Sequence, residues 1–457
     1  MENGLKPYEE YKQTNIVWNE KTPLHWEVKR GKEIFKYKKE INSKYQCSNI
    51  LSLTLKGVVK NSENNPIGLV PKDYATYQIF EKGDLVFKLI DLENYKTSRV
   101  GFVNQRGIMS PAYIRLQSYV GCNNKYFYYQ YYDLYLRGVY NKLGEGVRST
   151  LSGKDLLNLR IVVPPKEEQD QIVRYLDSKL SKINKFFRAK KKQVKLLKEL
   201  KQAIINQAVT KGLDPNVKIK PSGIEWLGDI PEGWEVRRIK TIVKNTAITT
   251  TQKDEDDIYI GLENVESWSG RIINASTETV FDSTAKKYND GNILFGKLRP
   301  YLAKVTIPSK KGVCSGEFLV LETLSGDLYN KFVEYLLRSN SIIELISMST
   351  YGAKMPRAEW DFIGNIKIGL PSLNEQQEIV TYIEAKTRTI DKAIESIKKQ
   401  IDIITEYRTS LISNVVTGKV DVRGIEVEDF IEESEEDFED LEEPELLEEN
   451  IEMGEEE

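Results

Sequence analysis

A long internal duplication constrains this chain more than any other feature, and such repeats decide the architecture before any local reading does. Pro164-Pro165-Lys166-Glu167-Glu168-Gln169-Asp170-Gln171-Ile172-Val173-Arg174-Tyr175-Leu176 aligns with Pro371-Ser372-Leu373-Asn374-Glu375-Gln376-Gln377-Glu378-Ile379-Val380-Thr381-Tyr382-Ile383 at an offset of 207. The same offset pairs Val209-Thr210 with Val416-Thr417. At an offset of 208, Trp18, Pro23, Trp26-Glu27-Val28 and Arg30 match Trp226, Pro231, Trp234-Glu235-Val236 and Arg238. Between these anchors the likeness thins to Gly83-Asp84-Leu85-Val86-Phe87 against Gly291-Asn292-Ile293-Leu294-Phe295, and Ser110 against Ser315. Leu5, Pro7, Lys12 and Ile16 match Leu213, Pro215, Lys220 and Ile224, while Val420-Asp421 also matches Leu213-Asp214. The start of the chain therefore resumes the repeat where its end leaves it, as in a covalent pseudo-dimer with a circular order of segments.

Each half opens with a mixed stretch, 18–163 and 226–370, whose short apolar runs and turn residues predict an α+β domain. Strands are expected in Asp84–Ile90, Ala112–Leu116 and Glu317–Leu321, and helices around Tyr126–Val139 and Leu328–Ser347. Each half closes with one long helix. Ile183, Lys190, Leu197 and Ile204 recur every seven residues with Phe186 and Leu200 between them; Ile390, Ile397, Ile404 and Leu411 recur likewise, joined by Ala393, Tyr407, Ile394 and Ile401. Sustained heptads predict helix-on-helix packing, and the pseudo-symmetry predicts that the two helices run antiparallel. Lys190 and Gln193 interrupt the first seam, so a pair is expected rather than a long zipper. Prolines with following acids (Glu167-Glu168; Glu375) suit the helix starts, and Gly212 and Gly418 suit the stops. From Lys166 to Lys211 such a helix spans about 69 Å at ~1.5 Å per residue. The expected organisation is a first globular domain with its N-terminal segment at 1–165, a spacer helix at 166–212, a second domain at 213–372, a second spacer helix at 373–424, and an acidic segment at 425–457. Two heads are thus separated by two long antiparallel helices.

Composition then narrows the partner. The net charge of −3 hides a segregation: residues 426–457 hold 19 acids and no Lys or Arg, leaving 50 acids against 66 bases, about +16, on the rest. A body this basic suits a polyanion, and two pseudo-symmetric domains suit two half-sites on one duplex. The acidic segment has too little apolar surface to fold and is expected to be disordered, either a solubilising extension, as such tails more often are, or a shield of the basic body against nonspecific contacts. No apolar run reaches the roughly 20 residues of a membrane span, and the first residues lack the apolar core of a signal peptide. Three scattered cysteines, Cys47, Cys122 and Cys314, offer neither a disulfide framework nor zinc-ligand spacing, which fits a reduced cytoplasm. His25 is the only histidine and reads as a surface turn residue before Trp26. Phosphate loops, glycine fingerprints and nuclease acid pairs are missing from the sequence. Val163-Pro164-Pro165-Lys166 lacks the flanking Asn/Asp and aromatic of an adenine-methyltransferase element. The chain is expected to bind rather than catalyse.

Candidate DNA contacts follow from cations near turns, where Lys reaches phosphates and Arg reaches base edges. In the second domain, Phe295-Gly296-Lys297-Leu298-Arg299-Pro300-Tyr301-Leu302-Ala303-Lys304 gathers Lys297, Arg299, Tyr301 and Lys304 around a glycine and a proline. In the first, Lys88, Arg99 and Arg106 hold comparable strand-loop positions; Arg148 and Lys354 each follow a glycine in matching loops. The run Arg188–Lys192 sits mid-helix, where it reads first as a solvated coiled-coil face and second as a contact to DNA across the spacer.

With the two-domain, two-helix repeat in place, the chain resembles the specificity subunit of Type I restriction-modification systems. The resemblance rests on Ile224-Glu225-Trp226-Leu227-Gly228-Asp229-Ile230-Pro231-Glu232-Gly233-Trp234-Glu235-Val236, on Leu370–Val380 and on Ser410–Asp421, each with a copy in the other half. It covers about residues 5 to 424. It implies two target-recognition domains, each reading one part of a split, asymmetric sequence in double-stranded DNA. It also implies helices that fix the gap and dock two methyltransferase subunits. S-adenosylmethionine, ATP and Mg belong, on this resemblance, to partner subunits, among which restriction subunits are further members it allows. A free-standing DNA-binding regulator and a structural coiled-coil adaptor are the two other readings.

Overall fold

The computed structural model describes residues 5–428, apart from 56, 62–70, 91, 93–98, 120, 144–149, 247, 278, 280–283 and 351–355. The disorder expected of the acidic segment falls, from residue 429 on, outside the described residues. Among these residues the α-helices are α1 (Asn124–Leu136), α2 (Val139–Leu143), α3 (Gly153–Asn158), α4 (Lys166–Lys211), α5 (Asn330–Leu337), α6 (Asn340–Met348), α7 (Trp360–Asn365) and α8 (Leu373–Val416). The chain divides into two units, and both divisions fall inside long helices: residues up to 191 join those from 398 onward, while 192–397 form the other.

In the first unit a four-stranded antiparallel sheet runs in the order Phe35–Tyr37, Ile114–Ser118, Leu85–Phe87, Val100–Phe102. Side chains alternate across a strand, and both faces of this sheet are covered. Val86 enters a cluster with Leu51, Leu53, Phe80, Val103 and Met109, whereas Phe87 meets Tyr131 of α1 edge-on at 5.1 Å. The second unit repeats the sheet as Val243–Asn245, Phe318–Thr323, Ile293–Gly296, Val305–Thr306. Here Ile293, Phe295, Leu319 and Leu321 face the helical core, and Leu294, Phe318 and Val320 face a second cluster with Ile260, Val265, Tyr288 and Cys314. A hairpin precedes each head, Tyr11–Gln13 with Lys21–Pro23 and Ile219–Pro221 with Asp229–Pro231. In each, a strand after the hairpin pairs with the strand that feeds the long helix: Glu27–Arg30 with Arg160–Val163, and Glu235–Arg238 with Lys367–Leu370.

The outer layers differ. The first head pairs Leu51–Thr54 with Gly57–Lys60 and Gln78–Phe80 with Gly107–Met109. The second carries one four-stranded sheet, Thr249–Thr250, Ala285–Tyr288, Gly312–Ser315, Ile258–Ile260, whose last pair is parallel. The apolar stretches expected as single helices are broken, at Arg137–Gly138 between α1 and α2 and at Arg338–Ser339 between α5 and α6.

Both long helices begin with the same device. Gln169 donates from Nε2 to the Pro164 carbonyl at 2.9 Å and accepts the Asn123 N–H at 2.9 Å. Gln376 donates to the Pro371 carbonyl at 3.0 Å and accepts the Tyr329 N–H at 2.9 Å. Both end alike, with Thr210 donating to the Asn206 carbonyl and Thr417 to that of Ser413, each at 2.6 Å. The glycine that follows has φ +76° in both copies, the left-handed conformation that terminates helices. Residues 417–424, expected within the second spacer helix, lie past the end of α8 at Val416. Within each unit the helix segments run antiparallel. In the first, α4 starts beside the end of α8, where Tyr126 Oη donates to the Val416 carbonyl at 3.3 Å and Gln171 Nε2 to that of Val422 at 3.0 Å. In the second, Lys201 of α4 pairs with Asp391 of α8 at 2.7 Å.

Of the expected seam, Ile183, Ile390, Ile397 and Leu411 are buried and Leu197, Ile204 and Ile404 are half-buried. Leu200 corrects the heptad: it is 50% exposed, and Ile205, Ala208 and Val209 are buried instead, packed into the core of the second head. A straight helix drifts by ~20° per heptad against a 3.5-residue repeat. By the last turns of α4 the buried stripe has passed to the side that the head demands.

Candidate nucleic-acid interface

Each head is locked to its helix by a tryptophan and a glutamate from the repeated anchors. Trp234, fully buried, donates its indole N–H to Glu375 at 2.9 Å. Trp26 does the same to Glu168 at 3.0 Å, but that carboxylate is itself buried and also accepts from Tyr8 Oη and meets His25 Nε2 at 2.8 Å. His25 is therefore an exposed turn residue, as read from the sequence, with a partner the sequence did not suggest. Burial first, then the hydrogen bond to Glu168, pushes the Tyr8 hydroxyl far above its usual pKa, so it remains a donor. A second shared tie fixes the sheet to the first turn of a helix: Asn124 Nδ2 to the Gly83 carbonyl at 2.7 Å and Asn330 Nδ2 to that of Gly291 at 2.8 Å. The two frames thus share the Trp–Glu tie and the Asn–Gly tie, while Tyr8 and His25 are added in the first alone.

On this frame the candidate cations separate. In the second head, residues 297–304 form a turn held by its backbone. The Lys297 N–H donates to the Glu317 carbonyl at 2.8 Å, the Arg299 N–H to that of Pro356 at 2.9 Å, and the Trp268 N–H to that of Leu302 at 3.2 Å. Arg299 and Ala303, at φ +51° and +48°, bracket the short helical turn Pro300–Leu302. Such left-handed non-glycine residues cost energy that surrounding structure must supply, and they cluster at ligand-binding positions. Tyr301 projects at 48% exposure, with Lys297 and Arg299 half-buried beside it. Lys304 is turned inward, its ammonium donating to the Leu262 carbonyl at 2.9 Å. Burial holds the Lys286 ammonium below its ordinary pKa, and the charge of Lys297 adds to the effect. Like Lys304, Lys286 is turned inward, its ammonium donating to the Phe318 carbonyl at 2.6 Å. Lys286, on the outer sheet, had no motif to mark it. Arg357, 2.9 Å from Glu317, lies one bridge away from Leu298 and was likewise not legible.

In the first head Arg106 is exposed, with Nε 3.3 Å from Glu81 and its backbone carbonyl bound by Asn49 at 2.7 Å. Lys88 is half-buried, and its N–H donates to the Arg99 carbonyl at 3.0 Å. Arg99 is a correction: it is 3% exposed and donates from Nη1 to the Ile90 carbonyl at 3.0 Å. A guanidinium held inside the fold ties down a strand end and is withdrawn from any duplex. Arg148 and Lys354 lie outside the described residues. No group of three or more His, Cys, Asp or Glu side chains among the described residues could hold a metal ion.

Comparison with known proteins agrees with this duplicated frame. The family model described as the Type I restriction modification DNA specificity domain matches twice, at residues 23–196 and 231–403. The chain belongs to the specificity-subunit family of Type I restriction-modification systems. It is 26% identical to the Type I restriction enzyme MjaVIII specificity subunit of Methanocaldococcus jannaschii, over 71% of this chain and 77% of that one. It is 23% identical to the EcoDI specificity subunit of Escherichia coli, over 62% and 68%. The fold matches, at a TM-score of 0.64 and 12% identity, a chain solved in work on complex assembly and conformational transition of the type I R-M system, covering 86% of this chain and 98% of that one.

Proposed function

We propose that the two heads read the two parts of a split, asymmetric DNA sequence, while α4 and α8 set the unread gap and dock two methyltransferase subunits. The observation that carries this reading is one frame bearing two unlike outer layers. Trp26 and Trp234, Gln169 and Gln376, and Asn124 and Asn330 hold both heads identically, yet the outer sheets share neither strand order nor sequence. Structure held constant while its solvent-facing layer diverges is what two different half-sites require. Lys297, Arg299 and Tyr301 in the second head, and Lys88 and Arg106 in the first, supply cationic and aromatic contacts of the kind that engage phosphates and base edges. Methyl transfer, with S-adenosylmethionine, and any ATP- and Mg-dependent cleavage belong to partner subunits; this chain contributes address rather than chemistry.

The test is to exchange residues 18–163 for the matching segment of a relative, co-express the chimera with its methyltransferase, and sequence the methylome. One half of the modified sequence should change and the other stay. A change in both halves would refute independent reading. Tight sequence-specific binding by the chain alone, with no methyltransferase able to join it, would favour a free-standing regulator.

A further inference from the structure

After the stop at Gly418 the chain turns back along the start of α4. Val422 is fully buried, and Gln171 Nε2 donates to the carbonyls of both Val422 (3.0 Å) and Ile425 (2.7 Å). Three residues on, Glu428 reaches Lys182 Nζ at 2.8 Å. Gln171 and Lys182 are eleven residues apart on α4, so the path runs toward that helix's C-terminus. The stretch of α4 ahead carries only basic charge. Between Ser178 and Lys191 α4 carries Lys179, Lys182, Lys185, Arg188, Lys190 and Lys191 and no acid. Its buried stripe there is Leu180, Ile183 and Phe187, which leaves the cations on the remaining faces, with Lys182 and Lys185 exposed. Residues 429–457, which this path leads into, contain 17 Asp or Glu and no Lys or Arg. The Lys182 ammonium already holds the Glu428 carboxyl below its ordinary pKa, with a smaller pull from Lys179.

We propose that residues 429–457 dock along the basic face of α4 from Lys182 to Lys191 and act as a built-in polyanion that competes with DNA for the basic body. One exposed ion pair is weak. Many pairs on a tethered segment act together, because tethering gives effective concentrations of order mM. Docking is therefore strong at low salt and fails near 1 M, where the screening length falls to ~3 Å. The competition rests on the DNA-reading function above; the docking does not.

The experiment is carbodiimide crosslinking of the full-length chain at about 50 mM and 1 M salt, mapped by mass spectrometry. The stretch Gly424–Glu457 has no tryptic site, so its partners are read directly. Crosslinks should concentrate on Lys182, Lys185, Lys190 and Lys191 at low salt and fall at least tenfold at high salt. Crosslinks scattered over exposed lysines of the heads, such as Lys21 and Lys240, would overturn the docking. Neutralising the segment side with Glu432→Gln, Glu433→Gln, Glu435→Gln and Glu436→Gln changes none of the described residues. That variant should lose most α4 crosslinks and bind a random-sequence duplex five- to tenfold more tightly at low salt. Unchanged affinity with the crosslinks lost would overturn the competition. Failure of wild type and variant alike to bind any duplex would count against DNA reading, with the crosslink map still deciding the docking.

Discussion

The same corner is built twice and closed in two ways. In the second unit the backbone runs unbroken from α4 through Gly212 into the hairpin, Asp214 accepts the Asn216 N–H at 2.8 Å, and Trp234 alone donates to Glu375 among the bonds described. In the first unit the corresponding backbone is cut. The turn survives after α8, with Asp421 accepting the Arg423 N–H at 3.0 Å, but its continuation is the other end of the chain. The Asp421 N–H donates to the Lys6 carbonyl at 2.8 Å where the second copy has a covalent link. Around this join, Tyr8, His25 and Trp26 converge on Glu168, and Arg423 lies 5.0 Å from the centre of the Tyr8 ring. Bringing segments distant along the chain together costs loop-closure entropy that a peptide bond avoids. The comparison teaches that this cost is offset locally, by side chains absent from the uncut copy, where Asn216 and Gly233 stand at the places of Tyr8 and His25.

The largest effects should fall where the copies agree. Trp26→Ala and Trp234→Ala each remove a fully buried indole and should destabilise their own unit by about 3–5 kcal/mol. Thermal unfolding followed separately in each head would check this; a mild loss at either position would break the equivalence of the two frames.

The helix-stop glycines should separate the copies. Gly212→Ala and Gly418→Ala both place a methyl at φ +76°, at a cost of roughly 1–2 kcal/mol. At Gly418 the new Cβ would sit 2.4 Å from Pro23 Cδ, whereas at Gly212 the nearest atom is 3.4 Å away. Crowding should add about 1–3 kcal/mol at Gly418 only, and equal losses in denaturant unfolding would show that the cut corner relaxes freely.

Smaller still is the difference between the carboxylates. Glu168→Ala strands the Trp26 N–H and the Tyr8 hydroxyl and should cost about 1–3 kcal/mol. Glu375→Ala, at a half-buried site, strands the Trp234 N–H alone and should cost about 1 kcal/mol, the low end of that range. Urea midpoints that reverse this order would remove the argument that Glu168 staples the join.

The least effect should come from acid. Burial raises the Asp421 carboxyl, but hydrogen bonds and charge from Arg423 outweigh it, and its pKa lies below the usual value. A depressed folded-state pKa stabilises above the unfolded value near 4 and is lost as pH falls through the lowered one. Limited proteolysis should therefore find the Lys6–Tyr11 segment more labile only below about pH 4, and Arg423→Gln should flatten that dependence. Unchanged cleavage of wild type between pH 5 and 3 would exclude Asp421 as a fastener.

The long helices were legible because their cues are local. Pro165, the acids after it and a glycine at the far end mark α4 at Lys166–Lys211, and heptads identified Ile183, Ile390, Ile397 and Leu411 as inward. Leu200 was misread because a heptad assumes one constant partner, while the end of α4 turns to face a head. The candidate contacts were harder. Lys297, Arg299 and Tyr301 stood out through a glycine, a proline and clustered charge. Arg99 was singled out only by its strand-loop position and points inward, since the direction of a guanidinium beside a strand depends on what pairs with that strand. Lys286 gave no signal at all, being brought to Lys297 by a sheet formed from distant segments.

Sequence alone therefore determined the duplication, its circular order, the two helices and their termini, and the separation of a basic body from an acidic segment. These follow from periodicity, spacing and composition, which act over a few residues or are counted along the chain. Tertiary structure alone decided which cations face outward, how two outer sheets differ on one frame, and that Glu168 gathers Tyr8, His25 and Trp26 onto the start of α4. The physical reason is that burial and hydrogen-bond partnership depend on neighbours in space, and strand pairing selects those neighbours from far along the sequence.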